Sequence, residues 1–250
     1  MLHQMFRVCG EEWRSADSGS RDWALKELAE WLDRTPDSAA YGMLGHKGDL
    51  LLLHLRGDFG GLLEAQTQVR KLRLSGYLEP TTSYLSVVEL GLYESTRKAH
   101  DELSGKGMQP GTDEWEAGIQ EILERQKKAM APRLWPQIPP SKYLCFYPMD
   151  RKRGERRNWY TLPFADRQRM MHEHGMVGRK YGDHVKQIIS GSIGFDDWEW
   201  GVDLFAEDPL WFKRLIYEMR FDEVSAVYAL FGSFYIGQRL DAAGLRQVFG

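Results

Sequence analysis

Two histidines one residue apart, His172 and His174 in MMHEHGMVGRKY (170–181), have the type and spacing to serve metal chemistry in this 250-residue chain. A neutral imidazole binds a metal through one ring nitrogen if it faces a pocket. At roughly 100° per residue, Met170, His174, Val177, Gly178 and Tyr181 share one helical face, and that face must point inward. His172 lies about 200° round the helix from His174, and His184 lies beyond it. His174 is therefore the inward candidate, either as a metal ligand or as a core histidine bonded to a carbonyl. Gly175 and Gly178 remove side chains beside it, which gives room either for a planar metal complex or for close helix–sheet packing.

A second constellation lies in KYLCFYPMDRKR (142–153). Strand alternation puts Cys145, Tyr147, Met149 and Arg151 on one face, with Leu144 and Phe146 on the other. A phenol, a thioether and a guanidinium in line resemble a pocket wall. Each is also common as plain structure: a core aromatic, a gap filler, and the start of the solvated charge run Arg151-Lys152-Arg153. In HVKQIISG (184–191), Val185, Gln187 and Ile189 share a face. The sequence leaves two registers open, one aiming the Gln187 amide inward and one turning Lys186 and Ile188 inward.

These residues need a scaffold. RDWALKELAEWLD (21–33) reads as an amphipathic helix with Trp23, Leu25, Leu28 and Leu32 on its apolar face. Residues 39–56 read as two strands around a Gly-rich turn, 59–78 as a helix and 81–90 as a strand. Residues 93–140 are charged and proline-containing, a connector with one helix at 113–129. Beyond it come a strand at 142–150, a helix at 163–181, strands at 184–194 and 197–205, a helix at 208–226 and a strand at 228–240.

The second half repeats the first. The expected fold class is α+β: two ferredoxin-like repeats, 1–92 and 141–250, joined by 93–140, their sheets facing or closing into a barrel-like core with room for a central pocket.

Composition narrows the partners. A net charge of −3 lacks the basic excess that nucleic acid requires. The longest apolar run, 49–55, is too short to span a bilayer, and the first residues carry no apolar leader pattern, so a soluble cytoplasmic protein is expected. Cys9 and Cys145 have no zinc or disulfide-framework spacing and read as reduced thiols.

The strings CFYPM (145–149), NWYTLP (158–163), HGMVGRKY (174–181), QIISGSIGFDDWEWGVDLF (187–205), YEMRFDEVSAVY (217–228) and FGSFYIG (231–237) resemble the chlorite-dismutase-like superfamily, and within it the coproheme decarboxylases. LHQMFRV, GHKGDLLLLHLR and SYLSVVEL match more loosely. The resemblance implies a dimeric α+β barrel-like, chlorite-dismutase-like fold assembled as a homopentamer. It also implies a reaction in which iron-coproporphyrin III is both substrate and redox cofactor. Hydrogen peroxide is the implied oxidant and haem b the product, with the propionates at positions 2 and 4 becoming vinyl groups.

By the same resemblance His174 is the proximal iron ligand and Tyr147 the residue whose radical attacks the propionate. Arg133, Tyr147, Pro148, Met149, Asp150, Arg151, Gln187 and Ser225 form the porphyrin-binding set, with Arg220 as a further cation. A coproporphyrin ferrochelatase is an implied transient partner. Gln187 stands where chlorite dismutases have a distal arginine, which favours decarboxylation. Arg151 replaces the family's lysine, and a guanidinium holds its proton more tightly than an ammonium. Competing readings are a chlorite dismutase or haem peroxidase on the same fold, and a haem carrier or sensor that keeps His174 without using Tyr147.

Overall fold

The computed structural model describes residues 1–89 and 102–250. The N-terminal half runs β1 (Leu2–Val8), α1 (Gly10–Ser15), α2 (Ser18–Arg34), β2 (Ser38–Leu44), β3 (Leu50–His54), α3 (Phe59–Lys71) and β4 (Leu78–Leu85). After α4 (Asp113–Leu134) come β5 (Tyr143–Arg151), α5 (Phe164–Arg179), β6 (Lys186–Gly191), β7 (Trp200–Ala206), α6 (Leu210–Met219), β8 (Ala229–Phe231), β9 (Tyr235–Leu240) and α7 (Ala242–Phe249).

Along the sheet the order is β4-β1-β3-β2-β9-β5-β7-β6, with β8 on β5. Each half thus repeats the same strand order, and the halves join antiparallel through β2 and β9, where Ala40 faces Leu240 and Leu44 faces Ile236. The two outer edges also meet. Val87, just past β4, exchanges two 2.8 Å backbone hydrogen bonds with Gly191 at the end of β6, closing the sheet into a barrel.

The barrel interior is packed rather than hollow. Met5, Tyr41, Leu51, Leu53, Leu144, Phe146 and Phe205 fill it, and the fully buried His3 and Asp203 join the two halves across it at 2.8 Å. The expected central pocket is therefore corrected. Outside the barrel, α5 and α6 cover the outward face of the C-terminal strands.

Local chemistry explains most element ends. Asp17, Asp58 and Thr112 cap α2, α3 and α4 by accepting from Ser20, Gly61 and Trp115 backbone N–H groups. In α2 the buried face is Ala24, Leu25, Leu28 and Trp31, whereas Trp23 is exposed beneath the Arg73 guanidinium. The 59–78 helix ends at Lys71 and continues as a 3-10 turn, Arg73–Tyr77. The 208–226 helix divides into α6 and a π-type turn, Val224–Tyr228. The last strand breaks at Gly232, where a β-carbon would meet Pro148 Cγ at 2.8 Å. Among the described residues, β1, α1, α7, a helical turn at 102–105 and the 3-10 turn Trp159–Thr161 have no counterpart in the sequence reading.

The connector helix is longer than 113–129 and seals Trp115 and Ile122 against Leu103. The expected boundary between 92 and 93 lies outside the described residues, as does the last residue of the 81–90 strand, whose regular pairing ends at Leu85. Among the described residues no helix is long and apolar enough to cross a membrane.

Candidate functional site

Helix α5 starts after Pro163, carries Asp166 in its first turn and ends on Arg179, a charge order that suits the helix dipole. Its inward face is the one expected. Met170 is buried with Trp159, Val224 and Tyr228, while Val177 and Tyr181 pack on the sheet-side core. His172 is exposed, and His184 stacks flat on Trp211 at 3.7 Å. His174 lies between these contacts, its side chain 23 % exposed.

The His174 ring is oriented by a residue that sequence reasoning passed over. Nδ1 lies 3.0 Å from Asp222 Oδ2. Asp222 is fixed in turn: its Oδ1 accepts from Ser225 N–H at 2.9 Å and its Oδ2 from the Ser225 hydroxyl at 3.0 Å. Burial alone would raise the Asp222 pKa, but the bonds from His174 and Ser225 outweigh it and hold the carboxyl below its usual range. A carboxylate at Nδ1 keeps that nitrogen protonated and leaves the Nε2 lone pair for a metal. Asp222 follows α6 in an irregular turn, so no helical period could pair it with His174; the capping pattern Asp222-x-x-Ser225 was the available signal.

The two glycines separate. A β-carbon on Gly178 would sit 3.3 Å from Met219 Cε and 3.6 Å from Gln187 Nε2, so Gly178 serves helix–helix and helix–sheet packing. One on Gly175 would meet nothing within 4 Å among the described residues. Open space beside His174 is thus provided at Gly175.

Strand β5 lies between β7 and β9. Its two faces divide as alternation requires, Leu144 and Phe146 into the barrel, Cys145 and Tyr147 toward the helices. Tyr147 is buried beside Phe234 and Phe231, at ring distances of 4.6 and 5.7 Å. Burial raises its pKa, Cys145 adds to this, and Arg220 and Arg151 oppose it, so the phenol keeps its proton at neutral pH. Arg220 is exposed, with its guanidinium 3.9 Å from the Phe231 ring.

Arg151 departs from the solvated charge run. It is 8 % exposed, lies 5.1 Å from the Trp159 ring and 5.8 Å from the Trp200 ring, and directs Nη2 at Met171 Sδ, 3.5 Å away. Its Nη1 is buried without a hydrogen-bond partner among the described residues. Burial lowers its pKa, opposed by the charges of Asp222 and Glu199. An unsatisfied buried guanidinium is costly, and a carboxylate is the acceptor that would satisfy it. Trp159 and Trp200 are further site residues that sequence reasoning missed, though the aromatic density of NWY and WEW marked them.

Met149 is half-buried opposite Trp200 and Phe231, Pro148 accepts from Gly232 N–H, and Asp150 accepts from Glu199 N–H. For Gln187 the two registers resolve together because both sheet faces are covered: Ile188 points into the barrel, and the Gln187 amide points at Gly178 of α5. Ser225 is buried with its hydroxyl on Asp222. Arg133 is exposed in the last turn of α4.

The group therefore offers an oriented imidazole, open space next to it, a buried neutral phenol and a buried cation in want of an anion. That donor set fits an iron-porphyrin with carboxylate side chains.

Comparison with known proteins identifies relatives of this chain. A family model described as chlorite dismutase matches residues 21–240. A coproheme decarboxylase from Staphylococcus saprophyticus is 40% identical over 256 residues, covering 99% of this chain and 94% of that protein. A solved structure described as a novel heme-binding protein from Thermus thermophilus is 40% identical, with a TM-score of 0.82 over 100% of this chain and 94% of that one. Chlorite dismutase from Candidatus Nitrospira defluvii, in a substituted form, shares the fold at a TM-score of 0.72 and 16% identity, over 100% of this chain and 94% of that one.

Proposed function

The chain belongs to the chlorite dismutase family, and we propose from this that it is a coproheme decarboxylase, an oxidoreductase converting iron-coproporphyrin III to haem b in haem biosynthesis. The observation that carries the reading is the pairing of an oriented His174 imidazole with the buried, partnerless Nη1 of Arg151. The 40% identity to a coproheme decarboxylase over nearly the whole chain supports it.

Each step removes one propionate: R–CH2CH2COOH and hydrogen peroxide give R–CH=CH2, carbon dioxide and two waters. Peroxide accepts the two electrons and two protons, and the carbon–carbon bond to the carboxyl breaks. The iron-porphyrin, when bound, supplies the oxidising centre for both steps. His174 would hold the iron through Nε2, with Asp222 keeping the ring orientation and tautomer. Tyr147 enters as a neutral phenol, so its oxidation is accompanied by loss of its proton. Arg151 anchors a carboxylate as a fixed cation rather than as a proton donor. Met149, Pro148, Asp150 and Gln187 complete the wall, with Arg220, Ser225 and Arg133 as further polar contacts.

Assembly as a homopentamer, transient contact with a coproporphyrin ferrochelatase and a cytoplasmic location belong to the same proposal. The unpaired Cys9 and Cys145 suit a reducing compartment.

Titration of the protein with ferric coproporphyrin III and with haem b, followed by absorbance, tests the reading. Tighter binding of the tetracarboxylate and a His174-dependent spectrum are expected. Equal affinity for both, or rapid oxygen release from chlorite, would favour a haem peroxidase or a chlorite dismutase instead.

A further inference from the structure

The segment that follows β5, Lys152-Arg153-Gly154-Glu155-Arg156-Arg157, holds four cations and one carboxylate, a local net charge of +3 in a chain whose total is −3. All six residues are exposed. Such a run is by default a solvated surface, but here its geometry ties it to the site.

The segment is a closed hairpin. Arg153 bridges Asn158, Gly154 N–H donates to Arg157 at 3.0 Å, and Trp159 N–H donates to Lys152 at 2.9 Å. Lys152 N–H donates to Tyr228, at the end of the turn that holds Ser225. One arm therefore leaves from Arg151, and the other returns with Trp159, whose ring lies against the Arg151 guanidinium. The hairpin frames the buried Arg151 and its partnerless Nη1.

Charge balance around it is uneven. Arg153 lies 3.6 Å from Glu199, which also accepts from the Arg151 backbone N–H. Lys152, Arg156 and Arg157 form no ion pair with another described residue. With Arg153 set against Glu199, the three remaining cations and Glu155 leave two net positive charges at the rim of the site, a field that reaches about a Debye length, ~10 Å at 0.1 M salt. Fields of this kind raise the on-rates of oppositely charged ligands by about 10- to 1,000-fold.

We propose that the 152–157 hairpin is an electrostatic guide that draws a carboxylate-bearing porphyrin toward Arg151 and Tyr147. This deepens the proposed function and rests on it. A six-residue tip is small against the ~800 Å² that each partner gives to a stable protein interface, whereas a porphyrin edge with its carboxylates matches it in scale. The guide acts on encounter, so its effect belongs in the association rate rather than in the bound complex.

Stopped-flow mixing of the full chain with ferric coproporphyrin III, followed in the Soret band, separates these quantities. Between ionic strengths of about 0.01 M and 1 M, where screening shortens from ~30 Å to ~3 Å, the association rate of the unaltered protein should fall about tenfold or more. Haem b, with two carboxylates instead of four, should show a shallower salt dependence. The double variant Arg156→Glu, Arg157→Glu should associate about tenfold more slowly at low salt, with an unchanged dissociation rate and an unchanged bound spectrum. Arg156→Gln, Arg157→Gln should fall between and serves if the reversed charges disturb folding. Identical rates and salt dependence in variant and parent would overturn the guide while leaving the decarboxylase reading intact. Failure of the parent to bind the porphyrin would remove both, and is told apart by the missing spectral change.

Discussion

His174 Nδ1 lies 3.0 Å from Asp222 Oδ2, and the Ser225 hydroxyl donates to the same carboxylate oxygen at 3.0 Å. The imidazole that could ligate iron is thus oriented from behind by an anion whose pKa is held low. Asp222→Asn should keep the turn, since an amide oxygen still accepts from Ser225 N–H, but weaken electron donation through the ring. Iron-porphyrin affinity should fall about 10- to 100-fold, and the iron–histidine stretching band should move to lower frequency in resonance Raman spectra. His172→Ala should change neither.

Tyr147→Phe should bind iron-coproporphyrin III and fail to decarboxylate it. Packing against Phe231 and Phe234 needs only the ring, so the cost in stability should be within about 1 kcal/mol. Thermal unfolding and a porphyrin titration check the first part, and product analysis the second.

Arg151→Met should have opposite effects on stability and on binding. It removes a buried cation with an unsatisfied Nη1, so the porphyrin-free protein should be unchanged or stabilised by about 1 kcal/mol. Affinity for coproporphyrin should drop about tenfold or more, as expected for a lost charge-assisted bond of ~1.5–3 kcal/mol. A variant destabilised by several kcal/mol with full affinity would assign Arg151 a structural role only.

The legible part of the site came from periods. Alternation in β5 and the 3.6-residue repeat of α5 placed Tyr147, Arg151 and His174 on faces that the fold does turn toward one another's elements. What stayed hidden depends on partners distant in sequence. The β2–β9 junction and the Val87–Gly191 bridge are edge pairings between halves, and no local pattern encodes which edges meet. Asp222 reaches His174 across 48 positions from an irregular turn. Arg151 and Lys152 look alike as neighbours in a charge run, yet one is buried between indoles and the other is exposed. Gly175 and Gly178 are also equivalent on paper, and only the neighbours at Gly178 distinguish them.

That distinction can be measured. Gly175→Ala places a methyl group in open space on a helix, so the porphyrin-free protein should gain about 1 kcal/mol, or ~2–4 °C in Tm. The same methyl group should weaken porphyrin binding if the macrocycle occupies that space. Unaltered affinity would move the macrocycle away from Gly175.

Acid stability should be set partly by His54, which lies buried with Ser38 Oγ at 2.9 Å from Nδ1. Burial, then Arg56 and His3, push its pKa from 6.5 to about 3. Because the folded value lies below the unfolded one, the unfolded chain takes up the proton first. Stability should therefore be full above about pH 6.5 and fall toward pH 3, by at most ~1.4 kcal/mol per pH unit. Urea midpoints at several pH values should show this slope, and His54→Gln should flatten it.

The most direct measurement is the mass of the porphyrin after the purified protein is mixed with ferric coproporphyrin III and hydrogen peroxide. Loss of two carbon dioxides and four hydrogens, with Tyr147→Phe leaving the substrate mass unchanged, is the expected result. Substrate recovered at its original mass from the unaltered protein, despite a bound His174-type spectrum, would contradict decarboxylation at this site.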